Sequence, residues 1–163
     1  MSFKDKVTEE QWKALINAPS AAASYVATAS GGGLEVIKEV FTAVKFVQES
    51  MTKAGGSGYG SLVDELLAAM KGMTAADARQ DAAKFESRDV ASIRAEAKQL
   101  VASGSAAADT QPEAEGYKRW LLDLARKVAE TKTGGVLGFG GTSVIDEKEQ
   151  AALDELKSLM GLP

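Results

Sequence analysis

Apolar residues recur at spacings of three and four along most of this chain, and that periodicity predicts helices. The clearest stripe is Leu34, Ile37, Phe41, Val44, Val47 and Met51, widened by Val40 and Phe46. Glu35, Lys38, Glu39, Lys45 and Glu49 fall on other faces, so 34–53 reads as a core helix. A second strong stripe places Tyr117, Trp120, Leu121, Leu124, Ala125 and Val128 on one face of a helix that Pro112 opens and that runs to about 132. Near the start, Thr8 and Gln11 have capping-box spacing, with Trp12, Leu15 and Ile16 on one face behind them. At the other end, Asp146 and Glu149 repeat that spacing ahead of Leu153, Leu156 and Leu159/Met160, and Gly161 is a stop signal.

Breaks in the pattern divide the rest. Pro19 is expected to end the first helix and start a second over 19–30, made of small residues around Tyr25 and Val26. Gly31-Gly32-Gly33 then stops it. A short helix over 61–71 aligns Leu62, Leu66 and Met70. Thr74 is the expected cap of a helix over 75–86, and Ser87 of one running to about 102 with Val90, Ile93, Ala97 and Leu100/Val101 inward. Glycine-rich or small-residue stretches near 54–60 and 103–112 read as flexible linkers. No long alternating run predicts a strand. The expectation is therefore an all-α, single-domain bundle of six to eight helices joined by Gly-rich loops, spanning 1–163.

Composition narrows the chemistry. The chain has no His and no Cys. That excludes thiolate or imidazole zinc sites, Ser-His-Asp triads, cysteine nucleophiles and disulfides. It also removes the one side chain that titrates unperturbed between about pH 5 and 8. The net charge of −4 is small, and acids interleave with nearly all the Lys and Arg, so no nucleic-acid stripe is expected. The longest uncharged run, 14–34, is broken by Pro19 and the triple glycine. Its uninterrupted part, 19–30, would reach only about 18 Å as a helix, against roughly 30 Å for a bilayer core. The charged start, Met1-Ser2-Phe3-Lys4-Asp5-Lys6, carries no signal-peptide pattern, and a cytoplasmic location is expected.

Three features remain as candidate sites. Glu35 and Glu39 follow one glycine stretch, and Asp146, Glu147 and Glu149 follow another; oxygen ligands from the two helix starts could share a divalent cation if they met. The same acids also suit helix N-termini through the macrodipole alone. Thr133 to Thr142, with Gly138, Phe139 and Gly140 at its centre, is the most distinctive segment. It reads as an interhelical loop that tucks Leu137 and Phe139 inward, or as a ligand or partner surface together with Tyr25. Trp12 and Trp120 sit at helical spacing beside Leu and Ile, and core packing is expected for both.

The segment from Tyr25 through Ser30-Gly31-Gly32-Gly33 to Glu39 resembles a helix–glycine–acidic helix unit of the TerB-like tellurite-resistance proteins, which are small, all-helical and bacterial. Gly140-Gly141-Thr142-Ser143-Val144-Ile145-Asp146-Glu147-Lys148-Glu149 is similar to the same unit. Where that family carries an Asp before its glycine, this chain has Ser30 and Phe139/Gly140. The chain is also similar to bacterial helical proteins with a Trp near the start and a Gly-Phe-Gly-Gly loop before the last helix. The resemblance implies a stress-associated helical protein. The expected function is a non-enzymatic protein-interaction module without a cofactor, its partner another protein or a second copy. The alternative is a small-ligand or divalent-cation binding protein that uses the acidic helix starts.

Overall fold

Thr8 caps the first α-helix, as its spacing to Gln11 predicts. Its Oγ1 accepts from Gln11 N at 3.2 Å, and Gln11 Oε1 accepts from Thr8 N at 2.9 Å. In this computed structural model, which describes residues 2–29, 43, 45–50, 52–53, 55–71, 89–133 and 145–163, the helix that follows is α1, Glu9–Ala27. The other elements are a 3-10 turn at Lys4–Lys6, α2 (Ser61–Met70), α3 (Val90–Asp109), α4 (Ala114–Thr133) and α5 (Glu147–Leu159). Residues 45–50 are helical as well. Among the described residues every regular element is a helix, and no helix is long and apolar enough to cross a membrane. The expected helix over 75–86 lies outside the described residues, as does most of the stripe over 34–53.

Pro19 does not break the chain in two, contrary to the sequence expectation: it lies inside α1. A proline there removes the N–H that would bond the carbonyl four residues earlier, that of Leu15. The fold replaces the missing donor. Tyr117, fully buried on α4, donates its hydroxyl to Leu15 O at 2.9 Å. Desolvation pushes the Tyr117 phenol far above its ordinary pKa, so it remains a neutral donor.

The second correction concerns 103–112. This stretch is not a linker over most of its length: α3 continues to Asp109, and Thr110 to Glu113 make the turn into α4. Small residues serve contact here. A Cβ on Gly104 would stand 2.5 Å from Ala18 Cβ, 3.1 Å from Ala14 O and 3.0 Å from the Tyr117 hydroxyl. The bare glycine lets α3 lie directly on α1, the most extensive helix pair in the described structure. Asp109 ends α3 where a negative charge is unfavourable, and Lys118 of α4 neutralises it at 2.6 Å.

The start of α3 is capped by Asp89, whose carboxylate accepts from Ser92 N at 3.2 Å; Ser87, the expected cap, lies outside the described residues. Gly60 has no side chain to cap α2, and the cap arrives from elsewhere. Glu113 accepts from Leu62 N at 2.9 Å and from the Ser61 hydroxyl at 2.8 Å. Those bonds, the Leu62 N–H first, hold the Glu113 carboxyl below its usual pKa. A Cβ on Gly60 would sit 2.7 Å from Glu113 Oε2, so glycine keeps the space open. The 55–60 stretch, expected as a flexible linker, is held by Ser57 N donating to Asp64 Oδ1 and by the Tyr59 hydroxyl donating to Asp123 Oδ2, and Gly116 lets it lie on α4, since a Cβ there would fall 1.9 Å from Tyr59 O. At the far end Gly161 N and Leu162 N donate to Ser158 O and Lys157 O, closing α5 with a Schellman pair.

The core forms where these faces meet. Trp12, Leu15, Leu62, Leu66, Tyr117, Trp120, Leu121, Leu124, Ala125, Val128, Leu153 and Leu156 are buried, as their periodicity predicts. Replacing Gly104 or Gly116 by Ala is expected to destabilise the protein by roughly 1–3 kcal/mol each, despite alanine's better helix propensity, because neither neighbour can retreat freely. Urea unfolding followed by circular dichroism checks this. A gain in stability for either variant would contradict the packing described.

Candidate functional site

Of the candidate residues named from sequence, Tyr25, Asp146 and Glu149 fall in the described structure; Glu35, Glu39, Gly138, Phe139 and Gly140 lie outside the described residues. Asp146 and Glu149 form the capping box of α5. Asp146 Oδ1 accepts from Glu149 N at 2.8 Å, and Glu149 Oε2 accepts from Asp146 N at 3.2 Å. Glu149 is buried, with 1% of its surface exposed. Two oxygens aimed at their own helix start serve the backbone there. Among the described residues no cluster of three or more Asp or Glu is placed to hold a metal ion.

Tyr25 stands near the C-terminus of α1, in a polar cluster drawn from three helices. Its hydroxyl donates to Glu155 of α5. The guanidinium of Arg94, on α3, lies over the ring at 4.2 Å from the centroid and donates from Nη1 to Tyr25 O at 2.7 Å. That carbonyl is one of the last four of α1, which have no intrahelical donor. Thr28 Oγ1 also reaches that carbonyl, at 3.3 Å, and donates to Ser24 O at 2.8 Å, which the Thr28 N–H bonds as well. Lys98 Nζ is 3.9 Å from Glu155 Oε2. Burial pushes the Tyr25 phenol up, and the Glu155 hydrogen bond adds to the shift, so the ring is a neutral donor. The arrangement joins helix ends, and its cationic side complements the negative end of the α1 dipole.

A second polar site was not foreseen from sequence. A cleft of about 350 Å³ opens between the helical residues 45–50, the 55–60 loop and α2. Its polar lining comprises Ser50, Lys53, Ser57, Asp64 and Lys71, with Leu67 on its apolar side. The loop is held in place by Asp64, whose Oδ1 accepts from Ser57 N at 2.7 Å. Ser57 Oγ accepts from Tyr59 N at 3.2 Å, which leaves its own proton to donate. Ser50 and Ser57 are each 3% exposed, whereas Lys53 and Lys71 are exposed. The side chains come from segments up to 21 positions apart, Ser50 to Lys71, across a glycine-rich stretch. No local spacing signals such a convergence.

Nearby, Tyr59 donates to Asp123 Oδ2 at 2.8 Å, pinning the loop to α4. Burial, then the Asp123 bond, raises the Tyr59 phenol to about 12.

No protein-family model, no curated protein and no solved structure matches this chain.

All three tyrosines of the chain are therefore held protonated beyond their ordinary range. An acid whose folded pKa lies above its unfolded value favours the fold below that unfolded value, here 10.0. The contribution is lost as pH rises through the folded pKa, for Tyr59 from 10.0 towards about 12. Tyrosinate absorbance of the native protein is expected to lag behind that of the urea-unfolded chain, and stability to fall above pH 10.0, less so in Tyr59→Phe. Native and unfolded titrations that coincide would contradict the burial of these phenols.

Proposed function

We propose that this protein is a non-enzymatic, cytoplasmic interaction module, a single bundle of six to eight helices joined by Gly-rich loops, and that its first partner is a second copy of itself. The observation that carries the reading is the outer face of α3. Ala91, Ala95 and Ala106 are exposed there and Ala102 is half-buried. The steps of four, seven and four give an 11-residue repeat, Ala91 to Ala102 and Ala95 to Ala106. Such a repeat follows a nearly straight helix and keeps its small residues on one line for about 22 Å.

The alanines leave the line low towards both ends, and the exposed Lys98 and Gln99 flank its centre, where a partner helix would meet them. The line is symmetric about its middle. A two-fold axis between residues 98 and 99 sets Ala91 against Ala106 of the partner subunit and Ala95 against Ala102 of the partner subunit. The complete absence of Cys accords with a reducing compartment. The TerB-like helix–glycine–acid order around 25–39 and 140–149 supports a stress-associated setting for the same module.

Sedimentation velocity over a concentration series tests this. The wild type is expected to form a dimer, and Ala95→Glu with Ala102→Glu to yield monomers with an unchanged helical circular dichroism spectrum, because the pairing would oppose glutamates. A monomeric wild type at all concentrations would overturn self-association. Specific turnover of a substrate, lost on a point substitution, would overturn the non-enzymatic reading.

A further inference from the structure

We propose that the cleft between residues 45–50, the 55–60 loop and α2 binds a small acidic amino acid, with its two carboxylates on Lys53 and Lys71 and its ammonium on Asp64. The charge pattern leads to this ligand class. Among the described residues, two ammonium groups and one carboxylate line the same cavity, a pattern of +2 and −1. A ligand with two carboxylates and one ammonium is its complement. A simple phosphate or dicarboxylate would satisfy the lysines but face Asp64 with like charge. A monocarboxylate amino acid would leave one lysine unanswered.

The geometry agrees with the charge. Asp64 gives only Oδ1 to the loop, at Ser57 N, and its other oxygen stands beside Gly56, where a Cβ would come within 2.8 Å of it. Glycine at 56 thus leaves the approach to that oxygen open. Neither Lys53 nor Lys71 forms an ion pair among the described residues, although acids pair with Lys13, Lys45, Lys98, Lys118 and Lys127. Ser57 is buried against the cavity with a hydroxyl proton left to donate. Leu67, 3% exposed, provides an apolar surface for the methylene groups between the charged ends. About 350 Å³ accommodates such a molecule with its first waters. The site is independent of the α3 alanine face, which lies on a different helix.

The test is a two-dimensional NMR titration of the full-length protein with L-glutamate, and in parallel with glutarate, which lacks the ammonium. L-glutamate is expected to shift the amides of Gly56, Ser57 and Lys71 saturably. Glutarate is expected to bind about tenfold more weakly, equivalent to about 1.4 kcal/mol. Lys53→Gln and Lys71→Gln should each weaken glutamate at least about tenfold. Asp64→Asn keeps the oxygen that holds Ser57 N and should abolish the preference for glutamate over glutarate. Both lysines also stand at helix C-termini, where a cation is favourable without any ligand. If that is their whole role, glutamate shifts no amide in the cleft, and the proposal fails. It fails equally if glutarate binds the wild type as tightly as glutamate, or if the folded lysine variants, checked by circular dichroism, bind as the wild type does.

Discussion

The carbonyl of Leu15 is the constraint around which the described helices are arranged. Pro19 deprives it of its helical donor, and a buried carbonyl without a partner costs roughly 1–3 kcal/mol. Tyr117 reaches it from α4, and the position of that hydroxyl fixes how closely α4 approaches α1. Gly104 of α3 occupies the same spot, because a side chain there would meet Ala18, the Ala14 carbonyl and the Tyr117 hydroxyl together. One proline thus specifies a phenol on one helix and a glycine on another. Three helices meet at a point where neither volume nor hydrogen bonding leaves slack.

The same economy governs the periphery. Several helix ends are satisfied by side chains from other elements. Glu113 caps α2 from the turn between α3 and α4, Glu65 accepts from Phe3 N at 2.8 Å and Lys4 N at 3.0 Å, and Arg94 serves the C-terminus of α1. Each of these bonds is also a tertiary contact, so the caps position the helices as well as end them. A chain rich in Ala and Gly has little side-chain volume with which to specify its packing, and directional polar contacts provide that specificity.

How far the residues alone foretold this depends on the range of the interactions. The buried face of α4, from Tyr117 to Val128, follows from a 3.6-residue period and needed no knowledge of neighbours. Both capping boxes and the Gly161 stop are local signals spanning four or five residues, and the structure contains them. Pro19 and 103–109 were misleading for one shared reason. Local propensity reads proline as a break and Gly-Ser-Ala as a linker, whereas here Tyr117 offsets the lost bond and α1 needs small residues opposite it. The Glu113 cap and the cleft link positions tens of residues apart, and no spacing rule reaches that far. Tyr25 was singled out as a ligand or partner contact; in the fold its carbonyl, ring and hydroxyl are engaged by Arg94 and Glu155.

The most direct test of the central interaction is a double-mutant cycle on Pro19 and Tyr117, read by urea unfolding. Tyr117→Phe in the wild-type background should cost roughly 1–3 kcal/mol, because it orphans the Leu15 carbonyl. In a Pro19→Ala background the alanine N–H takes that carbonyl, and the same tyrosine substitution should cost about 1 kcal/mol less. Equal costs in both backgrounds would show that Tyr117 does not stand in for the donor that Pro19 lacks, and the account of how these helices are held together would fail.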